Sequence, residues 1–425
     1  MTTVAVIGAG AAGLIAGAYA AKCGAKAEII DRNGRAGRKL FLTGKGRCNI
    51  TNAADLDGFM KNIPHNGRFL YSAFGSFFSN DILDILESEG VPVKLERGGR
   101  YFPESDKSSD VIRALVSYLT KCGARLLLDT EVRSVEKDAE GFTVRTSGAF
   151  GGARHYDRVI IATGGMSYSS TGSTGDGYRF AGSLGHTVAA PKASLVPLET
   201  LEAWPAELMG LSLKNVTLRA YKKDKSEAKP GKEKKRRPVY EELGEMLFTH
   251  FGVSGPLVLS ASSYLADEPE GAELTVDLKP ALTEEQLDAR LLRDFEKYRH
   301  KQLKNAMTDL LPGRLIDTVL MLAGVPGERS VDELTRAERA AIVSALKCMK
   351  MTVRGTRPID EAIITRGGVS VREIDPRTME SKLVPGLYFA GEVIDADACT
   401  GGFNLQIAWS TGAAAGAAAA GNSEI

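Results

Sequence analysis

The chain is poor in several features that mark particular classes of protein. Its five cysteines form no Cys-x-x-Cys pair and no cluster with histidine, so the sequence predicts neither a disulfide scaffold nor a zinc site nor a dithiol redox pair. Basic and acidic residues number 54 and 53, and this balance does not favour binding to nucleic acid or to an anionic membrane. We therefore expect no metal centre and no nucleic-acid partner.

Long apolar stretches are also missing. The most apolar segment, residues 4–21, is interrupted by glycines at loop spacing and has no basic region before it, so we interpret it as part of the fold and not as a signal peptide. No other stretch approaches the roughly 18 apolar residues of a transmembrane helix. These patterns predict a soluble, cytoplasmic protein without a membrane partner, and they leave its oligomeric state open.

Glycine, in contrast, is abundant, with 46 residues. The most informative glycines follow a predicted strand at residues 3–7 and open an alanine-rich helix. There Gly8 permits a tight turn, Gly10 lets the backbone approach a pyrophosphate, and Gly13 allows the helix to pack closely on the strand. The phosphates are expected at the N-terminus of this helix. The predicted contacts are Gly8, Gly10, Ala11, Ala12 and Gly13.

An acidic residue, Asp31, follows about 20 residues later, at the end of the next predicted strand. Its carboxylate can accept hydrogen bonds from a ribose. A carboxylate at this position also disfavours a 2′-phosphate, so FAD or NAD is expected and not NADP.

Two further apolar strands end in small residues. Residues 158–162 lead into Ala162, Thr163 and Gly164, and residues 386–390 lead into Gly391 and Glu392. Glu392 could accept hydrogen bonds from the ribitol hydroxyls of a flavin. Together with the glycine loop, these segments fit FAD better than NAD, because a flavin also needs its ribitol and its ring held.

The order of predicted elements indicates an α/β protein. Strands alternate with helices in residues 1–190 and 351–425, which is typical of a parallel sheet. Residues 191–280 consist of short strands with turns and predict an inserted β-rich domain. Residues 281–350 have helical periodicity and predict a helical subdomain.

Two longer stretches narrow the interpretation. Residues 37–49 and 392–406 resemble the BaiN-type family of FAD flavoproteins, which includes aminoacetone oxidase-like and bile-acid-intermediate reductase-like members. The resemblance spans nearly the whole chain. It implies a discontinuous, Rossmann-like FAD-binding domain of the two-dinucleotide-fold type, with a β-barrel-like insertion and a helical insertion, and FAD bound without a covalent link. By the same resemblance, the backbone of Val132 is expected at the adenine.

Cations are concentrated just after the first predicted strand–helix–strand unit. They could neutralise the pyrophosphate or bind an anionic substrate. Cys48 lies among them, so we expect a lowered thiol pKa and include this residue as a catalytic candidate, with a packing role beside the cofactor as the alternative. The residues of this region assigned to cofactor binding are Arg32, Arg38, Lys39, Gly46, Arg47, Cys48 and Asn49.

Near the C-terminus, a glycine-containing loop leads into a helix that is predicted to begin near Leu405. If the N-terminus of this helix faces the pyrimidine edge of the flavin, its free N–H groups would stabilise negative charge on the reduced ring. The residues assigned to this contact are Gly402, Phe403, Asn404 and Leu405.

Histidine is scarce, with five residues, and suits proton transfer near neutral pH. We predict His250 as the catalytic acid or base, with His186 as a weaker candidate. The basic segment at residues 222–237, with nine basic and three acidic residues, predicts a solvated hairpin loop. A contact with a polyanion is the alternative.

These features predict an FAD-dependent oxidoreductase that exchanges hydride between flavin N5 and a small organic substrate. Because no second Gly-x-Gly-x-x-Gly motif occurs, NAD(P)H could act only as a transient electron donor. The resemblance allows a reductase of an enone-type C=C bond or an amine oxidase of the aminoacetone type that reduces O₂ to H₂O₂. A third alternative is a flavin-binding protein with a regulatory or RNA-linked role.

Overall fold

A computed structural model of the protein describes residues 1–223 and 236–422. The chain forms two compact units. One consists of Met1–Ser194 and of the chain from Ile359 onwards, and the other consists of Leu195–Pro358. No helix within the described ranges is both long enough and apolar enough to cross a bilayer.

Strands occur along the whole chain. They are β1 (Thr3–Ile7), β2 (Lys26–Ile30), β3 (Thr51–Asn52), β4 (Val93–Glu96), β5 (Arg100–Pro103), β6 (Arg125–Leu127), β7 (Thr130–Lys137), β8 (Phe142–Gly148), β9 (Gly152–Tyr156), β10 (Arg158–Ile161), β11 (Val188–Ser194), β12 (Leu198–Thr200), β13 (Ser212–Tyr221), β14 (Tyr240–Thr249), β15 (Gly252–Ser254), β16 (Glu273–Asp277), β17 (Met349–Thr356), β18 (Ile364–Val369) and β19 (Leu387–Phe389).

The helices alternate with these strands. They are α1 (Ala11–Lys22), α2 (Arg38–Gly46), α3 (Leu56–Lys61), α4 (Tyr71–Ser76), α5 (Ser79–Ser88), α6 (Ser108–Lys121), α7 (Asp176–Ser183), α8 (Trp204–Glu207), α9 (Pro256–Leu265), α10 (Glu284–Lys297), α11 (Leu303–Ala306), α12 (Gly313–Ala323), α13 (Arg336–Lys347) and α14 (Phe403–Ala419).

The first unit is built on a parallel sheet with the strand order β19–β10–β1–β2–β6. Its central strands are almost wholly apolar and buried, and α1 packs against α14. Three small antiparallel sheets, β7–β8–β9, β3–β5–β4 and β11–β18, flank this core. The predicted α/β class, with a discontinuous Rossmann-like domain, is therefore confirmed.

The second unit contains a closed barrel with the strand order β12–β15–β14–β13–β16–β17. The structure differs here from the boundaries expected from the sequence. Strand β17 begins at Met349 and pairs with β16 and β12, so it completes the barrel instead of opening the second half of the cofactor domain. Helices α10 to α13 share one apolar core with the barrel, because side chains such as Leu287 and Leu346 pack into it.

Candidate cofactor site

Three neighbouring strands of the parallel sheet have their carboxyl ends side by side, and this line of strand ends is called the sheet edge here. The N–H of Ala162 donates to the carbonyl oxygen of Ile7 (2.9 Å), and the N–H of Ala390 donates to that of Ile161 (3.0 Å). The ends of β1, β10 and β19 therefore lie side by side. Ligands of open α/β sheets bind outside such carboxyl ends, so the three predicted segments meet where a dinucleotide would bind.

The glycine loop after β1 leaves open space at its centre. Gly8 has a φ of +107°, and a Cβ added there would lie 2.5 Å from the Ala162 carbonyl oxygen, so only glycine fits this turn. A Cβ on Gly13 would overlap the Gly8 carbonyl oxygen, which explains the close approach of α1. A Cβ on Gly10, in contrast, would meet no atom within 4 Å, and no side chain of the described residues caps α1 there. This open cradle at an uncapped helix N-terminus fits a pyrophosphate.

Asp31 shapes this loop directly. Its Oδ2 accepts the N–H of Ala9 (2.7 Å), and its Oδ1 accepts the backbone N–H and the side-chain amide of Asn33 (2.8 and 2.9 Å). A carboxylate offers about four acceptor positions, so capacity for a ribose hydroxyl remains. The ribose contact itself stays a prediction.

Lys39 and Glu392 form an ion pair at the edge of the sheet. Lys39 Nζ lies 2.6 Å from Glu392 Oε2 and 2.6 Å from Ser167 Oγ. Glu392 Oε1 also accepts the backbone N–H of Thr365 (2.9 Å) and the hydroxyl of Ser167 (3.1 Å). The pair joins two residues that the sequence assigned separately to cofactor binding. Its contact with ribitol stays a prediction.

The predicted arginines are largely paired with carboxylates. Arg32 forms ion pairs with Glu131 and Asp176. Arg47 pairs with Glu96 and Asp106 and lies over the ring of Phe102, and its carboxylate partners raise the pKa of its guanidinium.

Arg38 is exposed and donates to Asn33 Oδ1 (2.9 Å). Much of the positive charge expected for a pyrophosphate is thus neutralised within the chain. A role of these arginines in binding phosphate stays a prediction.

Cys48 corrects one expectation. The residue is completely buried, and burial raises the pKa of its thiol to about 12, although a hydrogen bond with Thr43 opposes the shift. The expected lowering of this pKa is therefore wrong, because loss of solvent destabilises the thiolate and the neighbouring Arg47 is engaged by Glu96 and Asp106. The catalytic role of Cys48 and its packing beside the cofactor both stay predictions.

Backbone around Cys48 is unusual. Gly44, Lys45, Gly46 and Cys48 all have positive φ values, of 59° to 85°. This path leaves Asn49 Oδ1 buried without a hydrogen-bond partner among the described residues. An orphaned buried acceptor is costly unless a ligand satisfies it. Asn49 therefore fits a contact with an N–H or O–H group of a bound cofactor.

The N-terminus of α14 is also uncapped by any described side chain. Gly402 at the N-cap has a φ of +95°, and a Cβ added there would lie 2.5 Å from the Thr51 carbonyl oxygen. Asn404 fixes the preceding loop, since its Oδ1 accepts the N–H of Ala398 (2.9 Å) and its Nδ2 donates to the carbonyl oxygen of Ala398 (2.7 Å). The helix begins at Phe403, two residues before the predicted start at Leu405. Its first N–H groups suit an anionic or polar group.

The remaining predicted residues lie in different places. Thr163 and Gly164 follow Ala162 at the sheet edge. Val132 is buried in β7 beside a shift of register, and its adenine contact stays a prediction. His250 belongs to the other unit, where it is exposed in the turn between β14 and β15. Its catalytic role likewise stays a prediction.

His186 is buried and bonded on both ring nitrogens. Its Nδ1 lies 3.1 Å from Glu373 Oε2 and its Nε2 lies 2.8 Å from Ser381 Oγ, while burial lowers its pKa. Sequence reasoning missed a third histidine, His65, which pairs with Asp395. The acidic residues inside the 392–406 motif were the available signal.

Comparison with known proteins finds a family model and relatives that match nearly the whole chain. A family model described as "HI0933-like protein Rossmann domain" matches residues 2–418. The chain is 31% identical to a 3-dehydro-bile acid delta(4,6)-reductase of Clostridium scindens, over 99% of both proteins. It is 33% identical to a ribosomal RNA dihydrouridine synthase of Escherichia coli, over 96% of this chain and 95% of that protein.

A solved structure, the Mycobacterium smegmatis Sdh1 complex in the apo form, shares the fold. Its TM-score is 0.50 at 17% identity, and the alignment covers 99% of this chain and 68% of that one.

Proposed function

The chain belongs to the HI0933-like family of Rossmann-domain proteins, and on that premise we propose that this FAD-dependent oxidoreductase reduces a C=C bond conjugated to a carbonyl group. Bound FAD supplies hydride chemistry. The observation that carries the proposal is the meeting of the open Gly10 cradle with the Lys39–Glu392 pair at one sheet edge, in a chain matched over its whole length by a named reductase.

The names of the relatives support this reaction class. A delta(4,6)-reductase acts, by its name, on C=C bonds, and the 3-dehydro group is a ketone that can conjugate with them. Dihydrouridine is uridine with its ring C=C bond saturated, and that bond is conjugated to a ring carbonyl. Both names therefore describe addition of hydride and proton across a conjugated C=C bond. Neither describes oxidation of an amine.

The residues of the site have distinct tasks in this proposal. The cradle at Gly10 holds the pyrophosphate, and the Lys39–Glu392 pair orients the ribitol. The first N–H groups of α14 stabilise negative charge on the pyrimidine end of the flavin. Asn49 offers its buried oxygen to a donor on the ring.

A small enone is the first candidate substrate. The uracil ring of ribosomal RNA is the second. The relative named ribosomal RNA dihydrouridine synthase supports this candidate, whereas the balanced charge of the chain does not favour it. Any contact between RNA and the basic segment 222–237 is part of this second candidate. Residues 224–235 of that segment lie outside the described residues. NAD(P)H is proposed as the electron donor.

An anaerobic single-turnover experiment tests the reaction. The flavin is reduced photochemically and mixed with a small cyclic enone or with a uridine-containing ribosomal RNA fragment. Reoxidation of the flavin, with a product that has gained two hydrogen atoms, supports the proposal and identifies the substrate class. Reoxidation by neither substrate, together with H₂O₂ release from aminoacetone and O₂, would favour the oxidase alternative instead.

Parallel titrations with NADH and NADPH identify the donor. Variants in which the basic residues of 222–237 are replaced by neutral ones distinguish an RNA substrate from a small enone. These variants should lower reduction of RNA and leave reduction of the enone unchanged if RNA is the substrate.

A further inference from the structure

A cluster of charged side chains lies beside the segment that leads into α14. His65 Nε2 is 2.9 Å from Asp395 Oδ1, and Arg366 Nη2 is 3.2 Å from His65 Nδ1. Ser194 Oγ donates to Asp397 Oδ2 (2.7 Å), and the backbones of His65 and Asp397 are bridged. All five residues belong to the same unit as the cofactor site. The cluster gathers residues from four separate segments at one point.

Hydrogen bonds orient the ring of His65. A guanidinium can only donate, so His65 Nδ1 must accept from Arg366. His65 Nε2 lies 2.9 Å from Asp395 Oδ1 and 3.0 Å from Asn66 Nδ2. Asn66 donates from Nδ2 to the Asp395 carbonyl oxygen (2.6 Å) and to Asp395 Oδ2 (3.1 Å), which holds that carboxylate in place. Asp395 thus orients His65, and His65 orients Arg366.

The cluster is connected to the cofactor site at two points. Arg366 follows Thr365 on β18, and the N–H of Thr365 donates to Glu392 Oε1 (2.9 Å). Arg366 is the next residue of this strand, and its guanidinium contacts His65 Nδ1 (3.2 Å). Asp397 precedes the loop held by Asn404, which ends at the uncapped N-terminus of α14.

The cluster also contains an unsatisfied group. Asp397 is completely buried, and its Oδ1 has no hydrogen-bond partner in the described part of the chain. Burial raises the pKa of this carboxyl, although Arg366 and Ser194 oppose the shift. A buried acceptor without a partner is costly in a purely structural cluster, so the orphaned Oδ1 of Asp397 favours a functional role.

We infer that Arg366, oriented by His65 and Asp395, stabilises the negative charge that develops on the carbonyl oxygen of the substrate. The inference rests on the proposed function. When hydride with its electron pair adds to the β-carbon, the C=C pair shifts and forms an enolate. A proton from solvent then adds to the α-carbon, and the reduced cofactor is the species oxidised. A guanidinium donates charge-assisted hydrogen bonds to such an oxyanion.

In this arrangement Arg366 is the catalytic residue, and His65 and Asp395 are positioning residues. Arg366→Met should lower the rate of flavin reoxidation by substrate about 100- to 1,000-fold, the usual cost of an oxyanion donor. Arg366→Lys keeps the charge but loses the fork geometry, so we expect about a tenfold loss. His65→Asn should also cost about tenfold in kcat with little change in KM. Each variant should retain its FAD.

His155→Asn is the matched control. His155 also pairs with an aspartate, with Nε2 3.4 Å from Asp138 Oδ1, but it lies exposed on β9. This control should behave as the wild type in every assay. Wild-type rates in both Arg366→Lys and His65→Asn, with FAD retained, would overturn the inference, and these milder variants keep the test valid if Arg366→Met does not fold.

Binding of an unreactive oxyanion gives a readout independent of turnover. 4-Nitrophenol absorbs differently as phenol and as phenolate, so its titration against the oxidised holoenzyme reports which form binds. Wild-type protein should bind the phenolate, and Arg366→Met should weaken this binding at least tenfold. Equal binding by both proteins would overturn the inference. If the wild type reduces no conjugated substrate, the proposed function fails, whereas phenolate binding that depends on Arg366 would still support the anion site.

Discussion

Lys39 and Glu392 are far apart in the chain, yet Lys39 Nζ lies 2.6 Å from Glu392 Oε2. Their side chains are 22% and 14% exposed, so the pair is partly shielded from solvent. Thr365 and Ser167 donate to the same carboxylate. Segments from both ends of the chain therefore meet in one hydrogen-bonded group at the edge of the parallel sheet.

The pair should be energetically coupled. Lys39→Met leaves a shielded carboxylate without its cation, and we expect a loss of about 1–3 kcal/mol in the free energy of unfolding. The double variant Lys39→Met with Glu392→Gln should lose less stability than the sum of the two single losses. The difference, which is the coupling energy, should be about 1 kcal/mol or more. Denaturant unfolding of the two single variants and the double variant measures this. Additivity within about 0.5 kcal/mol would show that the pair is not coupled.

Gly10→Val should weaken FAD binding without unfolding the protein. A Cβ at this position would meet no atom within 4 Å, so the new side chain would enter the open cradle. Overpacking costs about 1–3 kcal/mol, which corresponds to roughly 5- to 150-fold in FAD affinity. Fluorescence titration with FAD measures the loss, and circular dichroism checks the fold.

Gly75→Val is the control for this substitution. A Cβ on Gly75 also meets no atom within 4 Å, but this glycine lies exposed in α4. The control should bind FAD as the wild type does. An FAD affinity of Gly10→Val equal to that of the wild type would contradict the assignment of the cradle.

Gly402→Ala should destabilise the start of α14. The alanine would have to adopt a φ of +95° with its Cβ 2.5 Å from the Thr51 carbonyl oxygen, and we expect a loss of about 2–4 kcal/mol. Gly182→Ala in α7, where the space is open, should instead stabilise by about 0.5–1 kcal/mol. Thermal unfolding distinguishes the two signs. Equal stability of both variants would show that the N-cap glycine is not required.

Cys48 should be unreactive in the folded protein. With a thiol pKa of about 12, almost no thiolate exists at pH 8, so alkylation by iodoacetamide should be about 1,000-fold slower than for an ordinary thiol. Peptide mass mapping against the partly exposed Cys23 provides the internal control. Rapid labelling of Cys48 at pH 8 would contradict its burial.

The same pKa predicts a loss of stability at alkaline pH. The folded protein keeps a proton that the unfolded chain releases above its ordinary thiol pKa of 9.0. This contribution is present below pH 9 and falls by up to about 1.4 kcal/mol per pH unit from there to about pH 12. Wild-type stability should therefore decrease more steeply than that of Cys48→Ser in urea unfolding at pH 8 to 11. Identical slopes would contradict the prediction.

Local patterns predicted much of the cofactor domain. The turn at Gly8 and the strand ends at Ala162 and Glu392 follow from short-range spacing, and the structure brings them to one edge of the sheet. The structure begins α14 two residues before the predicted start, because the positive φ of the Gly402 N-cap belongs to the folded backbone and is not visible in the residue pattern.

Long-range pairing could not be predicted in the same way. Strand β17 closes the barrel through partners at β12 and β16, and its own sequence does not identify them. The pair of His65 with Asp395 joins residues with a sequence separation of 330. The raised pKa of Cys48 depends on complete burial, whereas the basic residues close to it in the sequence suggested a lowered pKa.

The most direct test is the amount of flavin held by purified protein after incubation with FAD and removal of the free cofactor. The visible spectrum should show two flavin bands at one FAD per chain, and denaturation should release all of it into solution. A colourless protein, or flavin that stays attached to the denatured chain, would contradict a non-covalent site formed by both ends of the sequence.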